Sequence, residues 1–240
     1  AQAIEWLRKH GKAKMETRAS RDTEEGRLGL FVDKENGVAA MVELLCESAS
    51  VASHEEFEAL ATDLAQQLAT GPGAATAEEL LAQNSPSKSG TLQEQFDDLN
   101  NRTREVFKLT RMERVEGACA AYRHHTGTAA VLLQVEGENE DLGKDICMHI
   151  VAMRPESLSP EDLDPAVVAK EREILIEAAK AEGKPENIAE KIVEGRIKSF
   201  FAENCLTEQP FVKDDSKTVG QAAADGGLKL VKMIHWQLGR

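Results

Sequence analysis

An Ala-rich apolar run followed by a helix signal occurs twice in this sequence, and this pattern most constrains the fold. Gly-Val-Ala-Ala-Met-Val begins at Gly37, and Gly-Thr-Ala-Ala-Val-Leu begins at Gly127. Each run is typical of a buried strand, and residues with helical spacing follow each one. Two units of hairpin plus helix predict an α+β protein with two subdomains in one body. Ala-rich strands also recur by chance, so the residues alone leave the relation of the two units open.

Strands are predicted where short apolar runs are bounded by turn residues. The predicted strands cover residues 28–32, 37–46, 112–123, 127–136 and 228–238, and residues 206–212 are predicted to be extended. Turns at 33–37 and 124–127 join the strands on either side of them into hairpins. Strands joined by such short turns pair antiparallel, so antiparallel sheets are expected.

Helices are predicted from capping signals and from apolar residues at helical spacing. A Ser/Thr-x-x-Glu capping box begins at Ser53, at Thr76 and at Thr91. The first of these helices is expected to end at the Gly-Pro-Gly run at residues 71–73, and the third to extend towards Val106. Further helices are predicted over residues 3–12, 142–153, 167–181, 188–200 and 218–225.

The helices over 167–181 and 188–200 are separated by the breaker Gly183-Lys184-Pro185. Two helices of similar length joined by a short breaker form an antiparallel helical hairpin. Its apolar stripe is expected to be buried between its own two helices. The alternative is a surface for self-association or for a partner.

Charge and composition argue against several classes of protein. Lys and Arg total 29 against 42 for Asp and Glu, a formal net charge of −13. A nucleic-acid binder needs a basic surface to neutralise phosphates, so direct nucleic-acid binding is not expected. With 41% hydrophobic and 30% charged residues, the chain fits neither a membrane-embedded nor a disordered protein. A soluble globular protein with no membrane contact is predicted.

The 4 cysteines are dispersed, at positions 46, 119, 147 and 205, and none lies in a Cys-x-x-Cys pair. This pattern favours buried thiols in a reducing compartment over a disulfide framework or a zinc module. No signal-peptide pattern is present, so a cytoplasmic protein is predicted. The sequence begins at Ala1 without a methionine, which suggests a trimmed N-terminus.

No catalytic motif of the Walker A, Gly-x-Gly-x-x-Gly, His-Glu-x-x-His or Gly-x-Ser-x-Gly type is present. His124 and His125, together with Cys119 or Cys147, are the candidate metal ligands. Adjacent histidines on a strand or turn are expected to point apart, so a polar turn is favoured there. We therefore predict no catalytic residue, no metal and no cofactor, with an enzyme carrying a His/Cys metal site as the disfavoured alternative.

Two features remain candidates for a function without chemistry. His149 lies on the apolar face of its predicted helix, three residues after Ile146, where a buried core histidine is favoured over a functional group. Residues 47–51 join a predicted strand to a capped helix and are expected to form an exposed turn. Such turns often carry function on a rigid frame, although a plain connection is the default.

Several segments together resemble one family. They are Ala-Ile-Glu-Trp-Leu-Arg-Lys-His-Gly from Ala3, Val-Glu-Leu-Leu-Cys-Glu-Ser from Val42, Met-His-Ile-Val-Ala-Met-Arg-Pro from Met148, and residues 182–198 and 209–221. On these segments the sequence resembles bacterial elongation factor Ts, the guanine-nucleotide exchange factor of elongation factor Tu. The resemblance covers nearly the whole chain.

The resemblance implies an α+β fold of two antiparallel sheet-plus-helix subdomains, with an inserted antiparallel coiled-coil hairpin and a short N-terminal helix. Residues 1–27 would be the remnant of an N-terminal helical module plus a linker. The core subdomains would be 28–115 and 116–163 with 207–240, and the hairpin 164–206. The first two helices of the family's N-terminal module are missing, so Ala1 is expected to mark a fragment.

The resemblance implies a partner rather than a reaction. In this family, binding to elongation factor Tu stabilises the nucleotide-free GTPase and thereby speeds GDP release. Factor and nucleotide then weaken each other's affinity by the same factor. Elongation factor Tu is the expected partner, and a homodimer or an assembly with two copies of each factor is left open.

The resemblance also implies which residues contact elongation factor Tu. They are Ile4, Leu7, Glu47, Ser48, Ala49, Ser50, Val51, Ala129, Ala130, Val131, Met148 and His149. The family's loop usually reads Cys-x-Thr-Asp-Phe-Val, and its Asp-Phe pair wedges against the GTPase near the magnesium site. Here Ala49 and Ser50 replace that pair. The alternative function is therefore a Tu-binding chaperone or assembly partner with weak exchange activity.

Overall fold

The computed structural model describes residues 21–181 and 186–239 of the chain. The predicted helix over 3–12, with the candidate contacts Ile4 and Leu7, lies outside the described residues. The described residues form two compact units, divided between Leu132 and Leu133 and again between Ile234 and His235. The predicted subdomain bounds stay a prediction.

Three strands of the first unit form an antiparallel sheet in the order β1-β2-β3, as expected from the hairpin pattern. They are β1 (Glu25–Asp33), β2 (Val38–Cys46) and β3 (Lys108–Glu116). Strand β1 begins earlier than predicted because Glu25 pairs with Cys46 and Arg27 with Leu44. The last residues of the expected linker are therefore part of the sheet, since backbone pairing tolerates polar side chains on an edge strand.

The single strand predicted over 112–123 is wrong. Strand β3 ends at Glu116, and a separate strand β4 (Cys119–Arg123) follows. Gly117 between them has a φ of 110°, a conformation that glycine adopts without steric cost. Strand β4 leads through the predicted turn into β5 (Ala129–Glu136), and these two strands form a second sheet with β8 (Lys229–Gln237) in the order β4-β5-β8.

Four helices of the first unit are α1 (Ala49–Ala52), α2 (Glu55–Thr70), α3 (Ala77–Leu81) and α4 (Leu92–Thr103). Thr76 and Thr91 cap α3 and α4 as predicted. The capping box predicted at Ser53 is wrong, because Ser53 ends α1 and its hydroxyl donates to the carbonyl of Ala49. His54 caps α2 instead, with its Nδ1 accepting a hydrogen bond from the backbone of Glu56 at 3.3 Å.

Helix α2 covers one face of the first sheet and forms the main core of this unit. Its apolar side chains Phe57, Leu60 and Leu64 are fully buried, as is Val42 of β2. Gly29 of β1 permits the close approach, since a Cβ at this position would lie 1.9 Å from the carbonyl oxygen of Ala61. Any larger residue at Gly29 would push the helix off the sheet.

The second unit contains most of the remaining helices. They are α5 (Glu140–Met153), α6 (Pro165–Ala181), α7 (Glu186–Asn204) and α8 (Val219–Asp225), with short 3-10 helices at Pro160–Asp162 and Leu206–Glu208. The prediction of extended structure over 206–212 is therefore wrong at its start. Its end forms β6 (Pro210–Phe211), which pairs antiparallel with β7 (Asp214–Thr218).

Helices α6 and α7 contact each other through a small apolar cluster. Ala179, Val193 and Ile197 are buried there, with Leu175 and Phe201 packed against them. Val167 and Ile174 of α6 remain exposed, so the apolar stripe is only partly covered. The described residues thus form an α+β fold with small antiparallel sheets, and the coiled-coil character of the helix pair stays a prediction.

Replacing Phe57 by Ala should lower the free energy of unfolding by about 3–5 kcal/mol, because it removes a fully buried ring. The ring also packs edge-on against Phe107 with centroids 5.0 Å apart. Urea denaturation followed by circular dichroism measures the change. Val231→Ala, at an exposed position, is the control and should change stability by less than about 0.5 kcal/mol. Equal effects of the two substitutions would contradict this account of the core.

Candidate partner-binding site

The segment predicted as an exposed turn after β2 forms the one-turn helix α1. Ser48 is its N-cap, and the Ser48 hydroxyl oxygen accepts a hydrogen bond from the backbone of Val51 at 3.3 Å. Ala49 and Ser50 are exposed, whereas Ser48 and Val51 are half-buried. The expected exposed turn is therefore a single helical turn that is exposed at Ala49 and Ser50, with the side chains of Ser48 and Ser53 bonded to its backbone.

Glu105 holds the start of this helix. Its carboxylate accepts hydrogen bonds from the backbone nitrogens of Glu47 and Ser48, at 3.2 and 3.1 Å, and from the Ser48 hydroxyl at 2.5 Å. The carboxylate of Glu47 in turn accepts a hydrogen bond from the backbone nitrogen of Val106, the residue after Glu105, at 2.8 Å. Arg21 donates to the same Glu47 carboxylate at 3.3 Å. Each glutamate thus binds the backbone beside the other.

Cys46, the residue before this segment, has no features of a reactive thiol. It is fully buried, and its sulfur donates to the carbonyl oxygen of Ser48 at 3.3 Å. Burial raises the pKa of the thiol to about 12, and the negative charge of Glu105 adds to this effect. A thiol with this pKa is protonated at neutral pH and is therefore not a nucleophile.

Arg27 connects α1 to the turn between β4 and β5. Its Nε donates to the carbonyl oxygen of Ala52 at 2.7 Å, and its Nη1 donates to the carbonyl oxygen of Thr126. The backbone of Leu28 adds a bond to the carbonyl of Gly127 at 2.8 Å. The site thereby joins two regions that are distant in sequence. Arg27 lies in no recognisable sequence motif, so its role in this contact could not be predicted from the sequence.

The predicted contacts Ala129, Ala130 and Val131 follow this turn in strand β5. All three side chains are buried. A direct contact of these three buried side chains with a partner stays a prediction.

His149 lies in α5 and is fully buried, which confirms the expected place of its side chain on the apolar face. Its Nε2 bonds to Oε1 of Gln209 at 2.9 Å, and its Nδ1 accepts from the backbone of Val212 at 3.3 Å. Since Nδ1 accepts and Nε2 faces an acceptor, these two bonds suit a neutral ring with its proton on Nε2. The neighbouring Met148 is half-buried. For both residues a direct contact with a partner stays a prediction.

The environment of His149 disfavours its charged form. Burial lowers the pKa of the ring, and the hydrogen bond to Gln209 opposes this only in part. The side chain therefore stays neutral at physiological pH and serves as a structural acceptor for the turn at Val212.

The candidate metal ligands His124 and His125 do not point apart as expected. Their ring centroids lie 4.1 Å apart, and Nδ1 of His124 bonds to the hydroxyl of Thr126 at 2.8 Å. Across residues 21–181 and 186–239, no group of three or more His, Cys, Asp or Glu side chains could hold a metal ion. None of the helices in the described ranges is long and apolar enough to cross a membrane.

Comparison with known proteins is decisive for the family. A family model described as Elongation factor TS matches residues 47–240. The chain belongs to the elongation factor Ts family. Elongation factor Ts of Methylococcus capsulatus is 38% identical over 240 residues, covering 99% of this chain and 81% of that protein. Elongation factor Ts of Kineococcus radiotolerans is 37% identical over 243 residues, covering 99% and 86%.

Membership in the elongation factor Ts family confirms the resemblance seen in the sequence and the predicted role in translation elongation. It does not test the contact residues one by one. Arg27 and Glu105, which bind α1 in the first unit, and Gln209, which bonds to His149 in the second unit, were missed in the sequence because their partners lie between 25 and 60 residues away.

Stability of the protein should decline as the pH falls below about 6.5, the ordinary pKa of histidine. In that range the unfolded chain takes up a proton at His149 that the folded chain resists, so lowering the pH favours unfolding. The slope from one such group is at most about 1.4 kcal/mol per pH unit. Urea titrations at pH values from 7.5 to about 5 measure how the free energy of unfolding changes with pH.

His149→Gln should be less stable at neutral pH and should show a smaller decline below about pH 6.5. His125→Gln is the control, because it removes an exposed histidine and keeps His149. An equally steep decline in His149→Gln and in the unmodified protein would rule out His149 as its source.

Proposed function

We propose that the chain binds the GDP-bound form of elongation factor Tu and promotes GDP release, so that GTP can load. Family membership supports this function. The structural observation behind the proposed contact is helix α1. Its residues Ala49 and Ser50 are exposed, and hydrogen bonds from Ser48 to Glu105 and from Arg27 to Ala52 hold its two ends. The protein would act in the cytoplasm as an exchange factor, with no bond made or broken and no cofactor.

The release of GDP follows from linkage between two ligands. If the factor binds nucleotide-free elongation factor Tu better than the GDP-bound form, GDP and the factor must weaken each other's affinity equally. The factor therefore needs a surface that fits one conformation of the GTPase and does not adapt to the other. A braced helix meets this need better than a mobile turn, because little conformational freedom is lost on binding.

The contact at the second unit is proposed to lie at Val212 rather than at the ring of His149. The Val212 side chain is 54% exposed, and His149 holds its backbone nitrogen from within the unit. His149 then contributes by fixing the position of this turn. Ala129, Ala130 and Val131 contribute in the same indirect way, as buried support for the turn tied by Arg27.

The alternative, a Tu-binding chaperone or assembly partner with weak exchange activity, rests on one observation. Ala49 and Ser50 carry neither a carboxylate nor a ring, so the wedge of the family's Asp-Phe pair is absent. Binding without faster GDP release would favour this alternative.

Stopped-flow release of a fluorescent GDP analogue from elongation factor Tu of the same organism tests the proposed function. The unmodified chain should accelerate release at least about tenfold, equivalent to about 1.4 kcal/mol of barrier. The substitution pair Ala49→Asp/Ser50→Phe should accelerate it further. Ala166→Asp/Val167→Phe, which adds the same groups at exposed positions in α6, is the matched control. If the unmodified chain did not accelerate release, the proposed function would be overturned.

The proposed contact at Val212 predicts that Val212→Ser slows GDP release several-fold while changing stability by less than about 0.5 kcal/mol. His149→Ala should slow release as well and should also cost about 1–3 kcal/mol of stability, because the backbone nitrogen of Val212 and the Gln209 amide lose a partner. Release rates and urea melts are compared with those of Val231→Ser, at another exposed valine. Normal release by Val212→Ser would exclude this turn as a contact.

A further inference from the structure

Helix α1 is too short to be stable by its own hydrogen bonds. It has four residues, Ala49–Ala52, and forming a first helical turn is unfavourable because several dihedral angles are fixed for one hydrogen bond. Its persistence as an ordered surface therefore depends on the groups that bind its two ends. At the C-terminal end, Arg27 and Ser53 bond to carbonyl oxygens.

Glu105 is the main brace at the N-terminal end. Its carboxylate accepts three hydrogen bonds from two consecutive residues, two from backbone nitrogens and one from the Ser48 hydroxyl. A hydroxyl has one proton to donate. Because that proton is committed to Glu105, the lone pairs of the Ser48 oxygen are free to accept from the backbone of Val51. Glu105 thus also sets the direction of the helix cap.

The chain brings Glu105 to this place by ending α4 abruptly. Arg104 adopts a left-handed conformation with a φ of 61° and accounts for the end of the helix at Thr103, short of the predicted Val106. Glu105 then leaves the helix towards the start of α1, and the next residue, Val106, donates its backbone nitrogen to the carboxylate of Glu47. The two segments are therefore bound to each other in both directions.

We infer that Glu105 is a positioning residue for the contact with elongation factor Tu. It fixes the N-terminal end of α1 so that Ala49 and Ser50 form a surface of constant shape. The inference rests on the proposed function. It concerns the rate of GDP release within the complex, because a misplaced helix would still touch the GTPase but would fit its nucleotide-free form less well.

The test compares Glu105→Ala with Glu94→Ala in the GDP-release assay over a range of factor concentrations. Glu94 is the matched control because it caps the opposite end of the same helix α4 and accepts from the backbone of Thr91 at 3.3 Å. Glu105→Ala should lower the maximal release rate about tenfold, equivalent to about 1.4 kcal/mol. A purely structural loss would reduce the folded fraction and raise the half-saturating concentration, with an unchanged maximal rate.

A reversal of the hydrogen bond between positions 48 and 105 gives a second, independent readout. Ser48→Asp alone replaces the hydroxyl that donates to the Glu105 carboxylate at 2.5 Å by a second carboxylate and should slow release strongly, since like charges repel there. Combined with Glu105→Gln, the introduced amide can donate to the introduced carboxylate. The double variant should recover at least about fivefold over Ser48→Asp alone, or about 1 kcal/mol.

The possible results separate the two proposals. No acceleration by the unmodified chain would overturn both the proposed function and this inference. Acceleration by the unmodified chain with equal maximal rates for Glu105→Ala and Glu94→Ala would overturn the inference alone. A double variant no faster than Ser48→Asp would also overturn it, because the contact between the two positions would then be irrelevant to release.

Discussion

The packing of α2 on the first sheet is the interaction on which the rest of the first unit depends. Gly29 lets the helix backbone approach β1 closely, and Phe57, Leu60 and Leu64 fill the space against β2. This contact fixes the end of β2 and the start of α2. Helix α1 spans the short gap between those two fixed points, and the bonds from Glu105 and Arg27 order the helix within that gap.

Several buried polar groups among the described residues have specific hydrogen-bond or ion-pair partners, and these contacts provide a second level of order. Asp63 accepts from Ser87 and Gln95 at 2.5 and 2.8 Å, beneath the helices of the first unit. Glu43 accepts from Thr110 at 2.6 Å and forms an ion pair with Arg111. A buried charge without a hydrogen-bond or ion-pair partner would lower the stability of the folded protein. Groups of this kind therefore favour one arrangement of the elements over others, as His149 and Gln209 do in the second unit.

Local signals in the sequence predicted most elements but not the contacts between them. The capping box at Thr91 is fully contained within four residues and was predicted correctly. Ser53 begins the same pattern, yet the preceding residues form α1, and the Ser53 hydroxyl donates to the carbonyl oxygen of Ala49 instead of capping α2. Gly117 and Arg104 end their elements through left-handed backbone conformations. The apolar periodicity on either side continues past both residues, so it could not reveal these ends.

The candidate site shows the same division. Segment similarity pointed to residues 47–51 and to His149, because those residues lie in continuous runs. Glu105 was invisible to this reasoning, since a single glutamate after a helix has no pattern and its partner Ser48 is 57 residues away. His149 was predicted to be on the apolar face. That its ring supports the backbone of Val212 depends on the tertiary arrangement alone.

Under the proposed function, the small side chains at positions 49 and 50 would make exchange depend on the shape of the backbone surface rather than on the burial of a large side chain. A phenylalanine buried at an interface contributes about 1.5–3 kcal/mol, and neither Ala49 nor Ser50 offers an area of that size. Their advantage is that almost no side-chain freedom is lost on binding. A surface of this kind discriminates between two forms of a GTPase only if its backbone is fixed. The bonds from Glu105 and Arg27 supply rigidity of this kind. Under the proposed function, this fixed backbone would replace the large wedging side chain of the family's usual loop.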